Sequence, residues 1–372
     1  MLQRYDVAIA GGGPAGATAG MCLARSGWHV AIFEAGSFDR EKAGETLPPE
    51  INPLLRELGL WELFRAQSPV ECPGVVSAWA GPVGEVDYAF NPFGSGWHID
   101  RLRFDKMLFD AARRKGAQVY SGQRVNFVRE AGEWRAVSSG GPPVSARFLI
   151  DATGRGVAQA HGNRERIVDD ALVATVVRLS FPKTEKRDLR TLIEATPSGW
   201  WYSACLPGDR MIAMFFTGRE TFRRGDDFLR EQLDSAPLTN RRVQRDAAVS
   251  SSVSVVSASS SCRREIAGDG WLCAGDSASS FDPLSGRGIF KAIRQSAAAA
   301  RAADATLRGD IAAPDSYAAM VRAEFDVYLS QKAPFYGSQV VWADRPFWKS
   351  RMQSPPPGAS KNTKFNAQTN SR

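Results

Sequence analysis

The chain has 372 residues, of which 43% are hydrophobic and 23% charged, with a formal net charge of +7. That length suits two domains, or one large domain with an insertion, and the apolar content is ample for a core. Residues 340–372 carry Arg345, Lys349, Arg351, Lys361, Lys364 and Arg372 against Asp344, a net +5, so the body of the chain is nearly balanced and no nucleic-acid surface is expected.

In chain order, Val7–Ala10 is an apolar run that reads as a buried parallel strand. Gly11, Gly13 and Gly16 follow as G-x-G-x-x-G. Ala17 to Ser26 has helical composition, and Gly27 stands where that helix should stop. His29 to Phe33 is a second strand ending on Glu34, 18 positions after the last glycine. In such a unit Gly11 allows the tight turn, Gly13 lets the backbone approach a pyrophosphate, and Gly16 lets helix and strand pack closely. The helix N-terminus offers N–H groups to phosphate, and Glu34 accepts from ribose hydroxyls. A dinucleotide site is predicted. FAD and NAD both carry an ADP half that suits it.

Arg40 and Lys42 place positive charge near where a pyrophosphate and ribose would lie. Gly44-Glu45-Thr46 can turn close to a flat ring. Leu47 to Phe64 reads as helical, with its regular part starting at Pro53 and a core stripe of Ile51, Leu54, Leu55, Leu58 and Trp61. Segments such as Val75–Ala80 read as antiparallel strands that begin a second domain. Trp97–Ile99 ends a strand. Asp100 is a plausible N-cap for a helix whose apolar face is Phe104, Leu108, Phe109 and Ala112. Arg101 stands at the start of that helix, where the macrodipole disfavours a cation, so an anionic cofactor is the expected partner. Residues 123–145 read as a β-meander. Phe148–Ile150 is a buried strand, and Asp151 to Gly156 turns at its C-terminal end, where open α/β sheets bind ligands.

Residues 161–262 lack the strand–helix alternation and predict an inserted antiparallel sheet, with a helix over Phe222–Asp234. Trp200, Trp201, Tyr202, Phe215 and Phe216 either wall an aromatic pocket or are ordinary core, since alternate residues of a strand face opposite sides. The α/β pattern returns at Trp271–Ala274 and Gly275-Asp276. A turn over Pro283–Gly288 then precedes a long helix from Ile289 to Leu307. This is a second helix N-terminus fit for an anion. A flavin uses such a site, because its reduced ring is negative at N1/O2. Residues 314–348 add a helix and the aromatic run Phe335, Tyr336, Trp342, Phe347 and Trp348. From Gln353 the composition reads as a disordered tail.

The five cysteines are odd in number and lack C-x-x-C spacing, and His29, His98 and His161 are far apart. Free thiols in the cytoplasm and no metal site are expected. No apolar run reaches the roughly 18 residues of a membrane span, so no integral membrane segment is expected.

Gly11–Gly16 with Glu34, Asp100-Arg101 with Phe104-Asp105, Asp151-Ala152-Thr153-Gly154, and Gly275-Asp276 with Asp282-Pro283 and Gly286–Gly288 occur in that order. The set resembles the FAD-dependent oxidoreductases of the aromatic hydroxylase superfamily, which share the p-hydroxybenzoate hydroxylase fold. GETLPP, GWWYSACLP, DPLSGRGI and RPFWKSR resemble the branch of tryptophan halogenases, geranylgeranyl reductases and the flavoproteins that mature quinone-cofactor amine oxidases. The last group matches best.

The resemblance implies an α/β fold: a Rossmann-like FAD-binding domain with an inserted antiparallel β-sheet substrate domain and C-terminal helices. The expected boundaries are 1–75, 98–160 and 263–330 for the FAD-binding domain and 76–97 with 161–262 for the substrate domain. A C-terminal helical segment over 331–352 and the tail over 353–372 complete the chain. The implied cofactor-binding residues are Gly11, Gly13, Pro14, Ala15, Gly16, Glu34, Arg40, Glu45, Thr46, Arg101, Asp276, Pro283, Gly286, Gly288 and Ile289. Glu45, His98 and Tyr202 are the catalytic candidates.

The implied activity is hydroxylation of an electron-rich aromatic group through a flavin hydroperoxide. The substrate would be a small molecule or a tryptophan of a partner protein. Electrons would come from NAD(P)H or a separate flavin reductase. The alternatives are a flavin-dependent halogenase and a reductase of the geranylgeranyl type. Halogenases carry G-W-x-W-x-I-P and need a lysine to hold hypohalous acid. Here Gly199-Trp200-Trp201-Tyr202-Ser203 departs from that pattern, Pro207 comes two residues late, and Lys42 is the nearest lysine candidate.

Overall fold

The computed structural model describes residues 2–39, 42–137, 143–156, 165–180, 187–244 and 250–352. Arg40 and the expected tail over 353–372 lie outside the described residues.

Among the described residues, one sheet is built on Gln3–Ala10. That strand pairs in parallel with Val144–Asp151 on one side and Val30–Glu34 on the other. Trp271–Cys273 and Gln118–Ser121 extend the parallel core outward, and the hairpin Asn126–Glu130/Glu133–Val137 folds antiparallel onto Val144–Asp151. Val7, Ala8 and Ile9 are wholly buried. Continuous apolar strands of this kind need cover on both faces. Helices Pro14–Arg25, Arg101–Arg114 and Gly288–Leu307 pack together here. The first helix approaches its strand closely: a Cβ on Gly16 would lie 1.8 Å from the Gly11 carbonyl oxygen.

The second sheet runs Ser250–Ser257, Leu172–Ser180, Arg210–Gly218, Gly199–Leu206, Thr191–Thr196, Gly74–Ala78, Gly84–Asp87. It is antiparallel as expected, except that Thr191–Thr196 pairs in parallel with Gly74–Ala78. Residues 74–87 are therefore joined to a sheet whose other strands come about a hundred residues later. Period-2 alternation divides this sheet cleanly. Trp201 and Phe215 face helices Asp226–Asp234 and Pro237–Gln244, while Trp200 and Phe216 face the last helices among the described residues, Ala313–Gly337 and Pro346–Met352.

Two helical expectations change. Residues 47–64 are not one helix. Thr46–Leu47 is a short strand, and two helices follow, Ile51–Glu57 and Trp61–Arg65. Gly59 separates them at φ +68°, a left-handed conformation that ends a helix, and Pro53 sits in a first turn, where its missing N–H costs nothing. The helix expected from Phe222 begins at Asp226, after Gly225 at φ +121°. Asp226 and Asp227 then occupy its first turn, where carboxylates suit the dipole.

Candidate functional site

The C-terminal ends of the parallel strands open into a cavity of about 750 Å³ whose other side is the second sheet. At the first strand's end Gly11 turns at φ +105°, and its N–H donates to the Phe33 carbonyl (2.7 Å). A Cβ on Gly11 would meet the Ala152 carbonyl oxygen at 2.3 Å. Glu34 accepts from the Gly12 and Gly36 N–H groups (2.7 and 2.9 Å) and borders the cavity. Gly13 is the N-cap of helix Pro14–Arg25. No side chain caps that end, and its first turn holds no acidic residue. Gly13, Pro14 and Ala15 line the cavity. Gly16 does not, and its role is close packing.

The second helix N-terminus opens on the same cavity. Helix Gly288–Leu307 likewise has no side-chain cap and no acidic residue in its first turn. Pro283, Gly286, Gly288 and Ile289 line the cavity there. No atom lies within 4 Å of where a Cβ would stand on Gly13, Gly286 or Gly288, so bare backbone borders open space at both ends. Two such uncapped termini fit a diphosphate and a ring that becomes anionic, and the residues present therefore fit FAD.

Asp276 also lines the cavity and is held by Arg155 and Lys291, each at 3.1 Å. Burial raises its pKa, but Lys291 and Arg155 outweigh burial and keep it below the usual carboxylate range. Neither partner was read from the sequence. The available signal was Lys291, a cation in the first turn of a helix whose dipole disfavours it. Arg101 proves to have a protein partner. Its guanidinium bonds to buried Asp105 at i+4 (3.2 Å) and to the Ala43 and Gly44 carbonyls (2.5 and 3.1 Å). The expected anion at Arg101 is thus supplied by the chain itself, while the side chain still borders the cavity.

Toward the second sheet the cavity meets Glu45, Thr46, Tyr202, Met214 and Phe216. Glu45 is 3% exposed, and its Oε2 accepts from the Gly44 N–H (2.8 Å). Burial pushes its pKa up to about 7 against the pull of Arg101. The Tyr202 hydroxyl shares a short hydrogen bond with Thr46 Oγ1, and burial pushes the phenol up as well. Both readings of the aromatic strands hold, one per face. Tyr202 and Phe216 wall the cavity, Trp200 stacks behind Phe216, and Trp201 and Phe215 are core on the far side.

His98 is not brought to the cavity. It is wholly buried, with Nε2 2.9 Å from Thr191 Oγ1, and burial lowers its pKa to about 3. It sits on a short strand, Gly96–His98, paired on both edges. Its ring joins that small three-stranded sheet to the second sheet, away from the cavity.

Among known proteins, a family profile described as FAD binding domain matches residues 4–322. Tryptophan 2-halogenase of Chondromyces crocatus is 28% identical over 82% of this chain. The chain spans 62% of that relative's length. LodB of Marinomonas mediterranea, described as an FAD-dependent oxidoreductase, is 26% identical, with 94% of this chain and 97% of LodB covered. Among solved structures, the flavin-dependent halogenase CmlS superposes with a TM-score of 0.83 at 26% identity, over 94% of this chain and 68% of CmlS. The peptidyl tryptophan dihydroxylase QhpG shares the fold, with a TM-score of 0.80 at 24% identity over 96% of this chain and 80% of QhpG.

Proposed function

The chain belongs to the FAD binding domain family and is an FAD-dependent oxidoreductase; from that premise we propose that it is a monooxygenase hydroxylating an electron-rich aromatic ring, a tryptophan side chain of a partner protein being the favoured substrate. The observation that carries the reading is the composition of the cavity's sheet side. Tyr202, Met214, Phe216 and Val256 offer an apolar, aromatic wall, and Glu45 is the buried carboxyl beside it.

Bound FAD supplies the oxygen-transfer chemistry. The protein's part is positioning, exclusion of water and proton handling. The uncapped terminus at Gly286–Gly288 favours negative charge on a ring lying against it. Phe216 and Met214 keep water from the reacting face. Glu45, with a pKa near 7, holds a proton at low pH and accepts one from the substrate ring at high pH. The Tyr202–Thr46 hydrogen bond fixes the wall against the Glu45 turn. Gly11, Gly13 and Glu34 would hold the ADP half. Electrons would come from NAD(P)H or a separate flavin reductase.

Support for a partner-protein substrate comes from one likeness: QhpG, which shares the fold, acts on a peptidyl tryptophan. Halogenation is the second reading, favoured by the halogenase relatives. Against it stands the lysine. Lys42 lines the cavity but pairs with Asp105 (3.4 Å), and the strands of the cavity wall contribute no lysine among the described residues.

The deciding experiment supplies reduced FAD-loaded protein with oxygen and a tryptophan-containing peptide, with and without chloride or bromide, and reads product mass. Oxygen incorporation indifferent to halide is expected. A halogenated product would overturn the monooxygenase reading.

A further inference from the structure

We propose that Trp200, Trp79, Trp348 and Trp342 form an electron relay that carries oxidising equivalents from the cavity to the protein surface. The proposal rests on FAD occupying that cavity. Phe216 lines the cavity wall, and Trp200 stacks on it with centroids 4.0 Å apart and planes 15° from parallel. Trp79 is 6.2 Å from Trp200, Trp348 is 5.2 Å from Trp79, and Trp342 is 6.3 Å from Trp348. The first three are buried and Trp342 is partly exposed, so the row has a direction, from cavity wall to solvent.

Indole is among the most readily oxidised side chains. Rings in contact allow an electron to move in short hops, where aliphatic packing would leave one long tunnelling step. The hydrogen bonds suit this use. The Trp79 and Trp348 Nε1–H groups donate to the Phe335 and Thr196 carbonyls (3.1 and 2.9 Å). A carbonyl does not take up the proton, so an oxidised indole there stays a radical cation, strong enough to draw the next electron inward. The Trp200 Nε1–H donates to the Tyr336 hydroxyl (3.0 Å), which donates to Asp282 Oδ2 (2.8 Å). The first cation in the row is thus linked through two hydrogen bonds to a carboxyl group that borders the cavity.

The balance is simple. An electron-deficient oxidant in the cavity, such as light-excited oxidised flavin, gains one electron from Trp200. Trp79, Trp348 and Trp342 each pass one electron inward in turn. Trp342 ends one electron short and gives its indole N–H proton to water. A soluble thiol returns the electron and proton. No bond between heavy atoms breaks. The cavity oxidant ends reduced by one electron and the thiol ends as a thiyl radical, so the relay moves the oxidising equivalent of light-excited flavin away from Tyr202 and Met214, which border the cavity.

The test is flash photolysis of the FAD-loaded full chain, read by transient absorption and electron paramagnetic resonance. A long-lived deprotonated indole radical is expected in the native protein. Trp79→Phe should abolish it by breaking the row. Trp342→Phe, at a partly exposed position where Phe keeps an aromatic ring, should keep prompt flavin quenching but lose the long-lived radical. Equal radical yield and lifetime in the native protein and Trp342→Phe would overturn the relay. So would flavin-loaded native protein that shows no indole radical. A preparation without flavin absorbance would instead overturn the cofactor assignment.

Discussion

Replacing Glu45 by Gln tests the proposed proton-handling role of its buried carboxyl. A Glu carboxyl ordinarily ionises near 4.5, and burial holds Glu45 near 7 in the fold. Between those values the unfolded chain has lost this proton and the folded chain has kept it. Stability therefore falls as pH rises through that window and levels off above it. At about 1.4 kcal/mol per pKa unit, the loss across the window is about 3 kcal/mol. Gln keeps the shape and cannot ionise, so Glu45→Gln lacks this slope. Denaturant unfolding of the FAD-loaded variant and native protein, from about pH 4 to about pH 8, should show the variant gaining about 3 kcal/mol relative to native across the series. The rate of the proposed hydroxylation should also carry an ionisation near neutrality in the native protein that the variant's rate lacks. A variant-to-native stability difference that stays constant with pH would refute the reasoning, because it would mean that Glu45 does not titrate in this window.

Three further substitutions probe the rest of the site. Gly13→Val should fold normally, since φ is −69° and the space is open, but should purify with little flavin, as read by visible absorbance. Asp276→Ala leaves Lys291 buried without its carboxylate and should cost about 3 kcal/mol by denaturant unfolding, along with flavin content; native flavin content would count against the Asp276 assignment. His98→Asn should lower the melting temperature while leaving flavin content and the pH dependence of the rate unchanged, and a shifted rate profile would return His98 to the catalytic candidates.

Legibility followed sequence distance. The strand–turn–helix–strand over residues 6–34 was readable because its whole logic is local: glycines where the backbone must approach, a helix with no competing cap, an acid at the strand end. The uncapped terminus at Gly288 was readable for the same reason. Arg101 shows the limit. Its misplaced charge was visible, but its protein partner Asp105, one helical turn away, was not read from the sequence. His98 looked catalytic by residue type, and burial between paired strands removes it. Glu194 carried no signal. Its buried carboxylate accepts from the Leu238 and Thr239 N–H groups (3.0 and 2.6 Å) at the start of helix Pro237–Gln244, a cap contributed from more than forty residues upstream. The split at Gly59 was local in cause but hidden beneath an apolar stripe that suited one helix or two.

The parallel pairing of Gly74–Ala78 with Thr191–Thr196 governs the order in which the molecule can assemble. The second sheet borrows strands made before Val144–Asp151 exists, and the first sheet gains Trp271–Cys273 only after the second is spelled out. During synthesis from the N-terminus, each sheet waits on the other's segment of chain. A nascent chain shorter than about 257 residues lacks strands from both sheets, and one shorter than about 270 still lacks Trp271–Cys273 of the first. Such non-local closure slows folding and lengthens exposure to aggregation. Production at low temperature with chaperone support should therefore raise the yield of this protein more than trimming either end would.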